Sequence, residues 1–168
     1  MTIQVGEHLP EGILMETTEF DPGNGCPMPP QKLEVLPLLK GKKVVIFGVP
    51  GAFTPLCSAQ HLPGYVAQYD AIKAKGVDEI WCVAVNDAFV MAAWGRQNNA
   101  IGKVRMLADG SAEYVTKLGL NRDLTGGGMG MRSFRYAMIV EDGVVKYIGV
   151  EASGKFEVSN VGTVLTQL

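Results

Sequence analysis

The feature that most constrains this chain is the run Val44-Val45-Ile46-Phe47-Gly48-Val49, bounded by the polar entry Gly41-Lys42-Lys43 and by the break Pro50-Gly51. Unbroken β-branched and aromatic character suits a central strand buried on both faces, which requires a sheet covered by helices on each side. Just beyond the break, Thr54-Pro55 is a helix start, with a capping hydroxyl followed by proline where its missing N–H costs nothing. Cys57 then falls in the first helical turn.

The rest of the chain repeats that alternation. The helix after Thr54 is expected to be kinked at His61-Leu62-Pro63-Gly64 and to continue through Tyr65, Tyr69 and Ile72 to a stop at Gly76. A second buried strand is expected over 80–85, and Asn86-Asp87 supplies the cap of a helix over 88–97 with Phe89, Ala93 and Trp94 turned inward. Residues 104–107 form a third strand, and Asp109-Gly110-Ser111 leads into a helix ending near Leu118. The stretch 134–140 pairs with 144–150 across Glu141-Asp142-Gly143, and 159–168 closes as a short helix. The first 41 residues read as a hairpin with a long loop, because the Gly and Pro of Asp21-Pro22-Gly23-Asn24-Gly25-Cys26-Pro27-Met28-Pro29-Pro30 punctuate without continuing any period. The expectation is a single α/β domain over residues 1–168, a central mixed β-sheet flanked by helices with an N-terminal hairpin.

Composition excludes several classes. A hydrophobic fraction of 47%, a charged fraction of 19% and a formal net charge of −2 do not suit a disordered or nucleic-acid-binding chain. No apolar run approaches membrane-spanning length, and Met1-Thr2-Ile3-Gln4-Val5-Gly6-Glu7 has neither the basic nor the apolar part of a secretion signal, so a cytoplasmic protein is expected. The odd number of cysteines, Cys26, Cys57 and Cys82, suits reducing surroundings rather than a disulfide scaffold. With only His8 and His61 and no clustered thiols, no zinc site or other cofactor is expected. Gly126-Gly127-Gly128-Met129-Gly130 neither follows an apolar strand nor opens a helix, so it reads as a flexible loop near the site and not as a nucleotide cradle.

Cys57 is the sharpest chemical candidate. A thiol in a first helical turn faces unpaired N–H groups and the positive end of the helix dipole, both of which favour the reactive thiolate. Thr54 lies one turn earlier, where its hydroxyl can cap the helix and bond the thiolate or a bound oxygen. Because threonine occupies the first position of Thr54-Pro55-Leu56-Cys57, a Cys-x-x-Cys dithiol mechanism is excluded. His61, four residues after Cys57, raises the alternative of a Cys-His hydrolase, although no orienting third member is apparent and a surface or helix-packing role also fits.

The segment Pro50-Gly51-Ala52-Phe53-Thr54-Pro55-Leu56-Cys57-Ser58, with Val85-Asn86-Asp87-Ala88-Phe89-Val90 and Arg132-Ser133-Phe134-Arg135-Tyr136 downstream, resembles the type II, or peroxiredoxin-5-like, peroxiredoxins. The likeness runs from about Val44 to the C-terminus. It implies a thioredoxin-like fold and a thiol peroxidase that reduces hydrogen peroxide and organic hydroperoxides, with Cys57 oxidised to a sulfenic acid. In the same terms Thr54 positions the peroxide, Pro50 shields the thiolate, and an arginine on a later strand supplies positive charge. Arg135, at the start of the strand before Asp142-Gly143, takes that role. Arg132 is the alternative or a supporting partner, aimed at the opposite face if the chain between them is extended.

The thiol that resets Cys57 stays open at this stage. Cys82 lies in an apolar strand and is either a resolving or a core cysteine, and Cys26 has no task in the family pattern. No cysteine follows Cys82, which departs from the branch with a C-terminal resolving thiol. An external reductant, glutathione with glutaredoxin or thioredoxin, is therefore expected. The resemblance also suggests a homodimer near Phe53 and residues 124–129. A peroxide sensor that passes oxidation to a partner protein is the non-enzymatic alternative.

Overall fold

The N-terminal segment forms an antiparallel hairpin, β1 (Ile13–Glu16) and β2 (Gln31–Glu34), with Leu14 opposite Leu33, in a computed structural model that describes residues 1–168. The short helix α1 (Val35–Leu39) then leads to β3 (Lys43–Val49). A π-helical turn (Cys57–His61), α2 (Leu62–Ala67) and α3 (Tyr69–Ala74) cross to β4 (Glu79–Ala84), and α4 (Ala88–Gln97) crosses to β5 (Arg105–Ala108). After α5 (Glu113–Lys117), a small ribbon of β6 (Asn121–Leu124) and β7 (Gly130–Ser133) precedes β8 (Tyr136–Glu141), β9 (Val144–Val150) and α6 (Val161–Gln167). Seven strands join one sheet in the order β2-β1-β5-β4-β3-β8-β9, with β3, β4 and β5 parallel and the remaining pairings antiparallel.

Two-sided burial of β3 follows from the period of a strand. Val45, Phe47 and Val49 enter one core with Cys82 of β4, Cys57, Tyr65, Ile72, Met91 and Trp94. Val44 and Ile46 enter the other, with Trp81, Leu39, Tyr114, Tyr136 and Met138. Gly48 shares that second face and is paired with Tyr136, and any side chain there would run into the Tyr136 ring.

Several expectations are corrected. The long helix changes from a π turn to α-helix at His61-Leu62, within the expected interruption, and breaks a second time at Gln68 (φ −99°, ψ 16°), which was not expected. Phe89 is 47% exposed, while Ala88, Met91, Ala92, Trp94 and Gly95 are buried. The Asp87 carboxylate accepts from Val90 N and caps α4, and packing against the sheet places 88, 91, 92 and 95 on the buried face and 89 off it. The glycines at 126–130 form the turn of the β6–β7 hairpin, with Gly128 and Gly130 at φ 76° and 68°, and not a free loop. Neither of those strands carries the apolar alternation that makes a strand legible.

Candidate active site

The site is built where β3 ends. Past Val49 the chain turns through Pro50 and Gly51, and Ala52 N donates to Asn86 Oδ1 (2.9 Å), tying this turn to the end of β4. Phe53 adopts φ 64°, a left-handed conformation uncommon for a residue with Cβ, and leaves its ring 50% exposed. Thr54 donates its hydroxyl to the Gly51 carbonyl (2.7 Å), and its own carbonyl accepts from Ser58 N (2.9 Å). It therefore starts the helix through its main chain, and the expected side-chain cap does not form. The hydroxyl oxygen accepts no bond from the protein.

Cys57 is wholly buried and opens the π turn, in which Leu62 N donates to the Cys57 carbonyl five residues back. Its Sγ accepts from Arg135 Nη2 (3.2 Å), while Nη1 of the same guanidinium donates to His61 Nδ1 (2.9 Å). A guanidinium can only donate, so Nδ1 is the unprotonated nitrogen and Nε2 carries the hydrogen that it donates to the Ser159 carbonyl (3.0 Å). The imidazole is buried against Phe47 (4.9 Å between ring centroids), Phe156 (5.1 Å) and Tyr65 (5.7 Å). Burial, and then the Arg135 charge, lower its pKa from 6.5 to about 3. His61 is thus a neutral core residue, not a surface one, and its single lone pair is committed to Arg135. It cannot take a proton from Cys57, which removes the basis of a Cys-His hydrolase.

Both arginines reach this place. Arg132 donates from Nε to the Met129 carbonyl (2.9 Å) and from Nη1 to the Pro50 carbonyl (3.2 Å). Strand parity, which would aim the two at opposite faces of one continuous strand, does not relate them, because Arg132 belongs to β7 of the ribbon and Arg135 precedes β8 of the main sheet. Arg135 meets the thiol; Arg132 holds the turn in front of it.

Cys82 is wholly buried on β4, on the sheet face that also carries Cys57, and burial followed by the Cys57 charge pushes its thiol well above the usual range. Cys26 is exposed in the N-terminal loop, and all three cysteines are unpaired. Four further residues support the site without a clear sequence signal. Asn86 holds Ala52, Trp94 Nε1 donates to Ser58 Oγ (3.0 Å), Ser159 supplies the carbonyl under His61, and Glu151 binds the Ser159 segment. In the sequence Asn86 stands beside a helix cap and within the 85–90 segment of the family pattern, but nothing there links it to Ala52. Ser159 and Glu151 lie on irregular chain far from Cys57.

A buried thiol beside a fixed cation, with a free hydroxyl oxygen one turn away, on a mixed sheet flanked by helices, defines a thioredoxin-like thiol oxidoreductase. The family model described as Redoxin matches residues 4–165. Peroxiredoxin-2B of Arabidopsis thaliana is 44% identical over 166 residues, covering 99% of this chain and 98% of that protein. Reduced Prx3 of Vibrio vulnificus, solved in complex with hydrogen peroxide, superimposes with a TM-score of 0.89 at 50% identity, over 98% of each chain. A Burkholderia cenocepacia structure described as a putative thioredoxin reductase is 56% identical, with a TM-score of 0.93 over 100% of this chain and 99% of that one. The chain belongs to the redoxin family and is a peroxiredoxin, a thiol-dependent peroxidase.

Proposed function

We propose that Cys57 is the peroxide-attacking thiol, acting on hydrogen peroxide and small organic hydroperoxides, and that a thiol from another molecule resets it. The observation that carries this reading is the Arg135 Nη2 to Cys57 Sγ contact at 3.2 Å, made by a guanidinium whose other arm rests on a neutral histidine. A charge-assisted donor of this kind faces the negative charge that the reaction carries.

The thiolate attacks one peroxide oxygen, the S–O bond forms as the O–O bond breaks, and the electron pair departs on the second oxygen, which takes a proton to become water or an alcohol. Cys57 is left as a sulfenic acid. The free acceptor side of the Thr54 hydroxyl suits the proton of the bound peroxide, so the two oxygens are held in line with sulfur. Pro50 excludes water from the thiolate, and Arg132 keeps that ring in place through the Pro50 carbonyl.

Cys82 is held in a central strand between β3 and β5, so pairing with Cys57 would require local unfolding of the sheet or the π turn. A core role for Cys82 and an external reductant, glutathione with glutaredoxin or thioredoxin, fit this better. Three unpaired cysteines suit a reducing compartment such as the cytoplasm. The exposed Phe53 ring supports a homodimer through this face, checked by sedimentation of wild type and Phe53→Ser.

The test is peroxide consumption with each reductant by wild type, Cys57→Ser, Cys82→Ser and Cys26→Ser. Turnover lost only in Cys57→Ser agrees with the proposal, and turnover surviving in that variant refutes it. Stoichiometric oxidation without turnover under any reductant would instead indicate a sensor.

A further inference from the structure

Behind Arg135 lies a carboxylate that the proposed chemistry does not use. Glu151 follows β9, and its main-chain N–H donates to the Arg135 carbonyl (2.9 Å). Its side chain is buried, with the residue only 5% exposed, and forms no ion pair. Instead Oε1 accepts from Glu157 N (2.9 Å), and Oε2 accepts from Val158 N (2.9 Å), Ser159 N (2.8 Å) and Ser159 Oγ (2.6 Å). Three successive amides thus converge on one carboxylate. Burial alone would raise its pKa, yet these bonds hold it below the usual carboxylate range, so it is ionised at neutral pH.

With its N–H groups gathered on Glu151, this turn presents the Ser159 carbonyl to the core, where it receives His61 Nε2–H (3.0 Å) and the Tyr65 hydroxyl (2.7 Å). The Tyr147 hydroxyl holds the preceding Val158 carbonyl (2.7 Å), and Phe156 from the same turn lies over both the His61 ring and the Arg135 guanidinium. A buried neutral imidazole has one donor and one acceptor, and what faces Nε2 decides what Nδ1 offers. Were the Ser159 carbonyl displaced, the ring could carry its proton on Nδ1 and meet the Arg135 N–H donor to donor. The guanidinium would then lose its anchor beside Cys57.

We propose that Glu151 is a positioning residue for Arg135: it closes the 157–159 amides on its carboxylate, turns the Ser159 carbonyl onto His61, and so fixes the Nε2–H tautomer whose Nδ1 accepts from the guanidinium facing Cys57. The proposal rests on the reading of Cys57 as the peroxide-attacking thiol, and it adds a residue that touches neither substrate nor sulfur.

The test uses the reduced full-length protein with 15N-labelled histidine, in which only His8 and His61 contribute ring signals. Wild type is expected to show His61 protonated on Nε2 alone. In Glu151→Gln one acceptor oxygen is replaced by an amide NH2 donor that opposes the backbone amides. That variant is expected to lose the single-tautomer pattern, and both its single-turnover oxidation by hydrogen peroxide and its Cys57 alkylation by iodoacetamide at pH 7 should slow about tenfold. Ser159→Ala removes one of the four bonds to the carboxylate but keeps the carbonyl, and should lose less than Glu151→Gln. Glu151→Asp, which restores the charge, should recover part of the loss.

A folded Glu151→Gln with unchanged His61 signals and unchanged Cys57 rates overturns the proposal. So does a rate loss that matches the unfolded fraction while the His61 pattern persists, or a wild-type ring protonated on Nδ1. If Glu151→Gln does not fold, the same comparison is made with Glu151→Ala, which removes the acceptor altogether, and unchanged signals and rates there likewise overturn it. A wild type that fails to reduce peroxide at Cys57 would sink the peroxidase reading alone, because tautomer and alkylation still decide the role of Glu151.

Discussion

Replacing His61 with glutamine should make the fold markedly less sensitive to acid. In the folded protein the imidazole stays neutral until about pH 3, whereas in the unfolded chain it takes up a proton near 6.5. Below 6.5 the unfolded state therefore binds more protons, so stability is complete above that pH and is lost progressively as pH falls towards 3. Each pH unit in this window costs about 1.4 kcal/mol, which amounts to about 2 kcal/mol at pH 5 and about 5 kcal/mol at the lower limit. Glutamine carries one donor for the Ser159 carbonyl and one acceptor for Arg135 but does not titrate, so it keeps both bonds and removes the penalty. Loss of ring packing against Phe47, Tyr65 and Phe156 should cost about 1 kcal/mol at every pH. Urea unfolding of both proteins at pH 7.5 and pH 5, under reducing conditions, gives the four free energies needed. Wild type should lose about 2 kcal/mol more than His61→Gln between the two pH values. Equal losses would show that His61 is not neutral in the fold, and the tautomer assigned from its partners would fall with it.

Arg135→Lys should lower the rate of Cys57 oxidation by about a hundredfold in stopped-flow measurements, because an ammonium cannot span Sγ and His61 Nδ1 together. Arg132→Lys, which leaves the thiol contact intact, should cost clearly less, and a reversed order would exchange their roles. Gly48→Ala should destabilise the fold by about 1–3 kcal/mol, read by urea titration, since the new methyl meets the Tyr136 ring inside a closed core. Asp109→Ala should cost about 1–3 kcal/mol, read as a lower melting temperature with unchanged Cys57 chemistry, because the buried carboxylate accepts from Tyr114 N and Val115 N at the start of α5.

Elements that bury a continuous apolar run were legible from the residues alone. The strand over 44–49, the strand over 80–85 and the 134–150 hairpin appear within a residue or two of their expected bounds. In each case the pattern needed to pack is the pattern that was read. The β6–β7 ribbon escaped because Asn121-Arg122-Asp123-Leu124 is held by strand pairing and not by an apolar face. Phe89 was misplaced although the cap and bounds of α4 were read correctly, because the face turned to the core is chosen by packing against the sheet, and a one-residue error in phase turns a side chain by about 100°.

By itself the sequence determined that one cysteine sits at the start of a helix, directly after a central strand, with threonine in place of a second thiol. Those are local properties, written in spacing and in turn chemistry. Only the tertiary structure decided what surrounds that sulfur. Arg135, His61 and the Ser159 carbonyl come from three separated stretches, and the charge state of His61 depends on burial and on which atom faces each ring nitrogen. Strand parity could not relate Arg132 to Arg135, because the pairing partner changes between them, from β6 in the ribbon to β3 and β9 in the main sheet. Which strand each end of the segment pairs with is a long-range property, and no property of the intervening residues announces it.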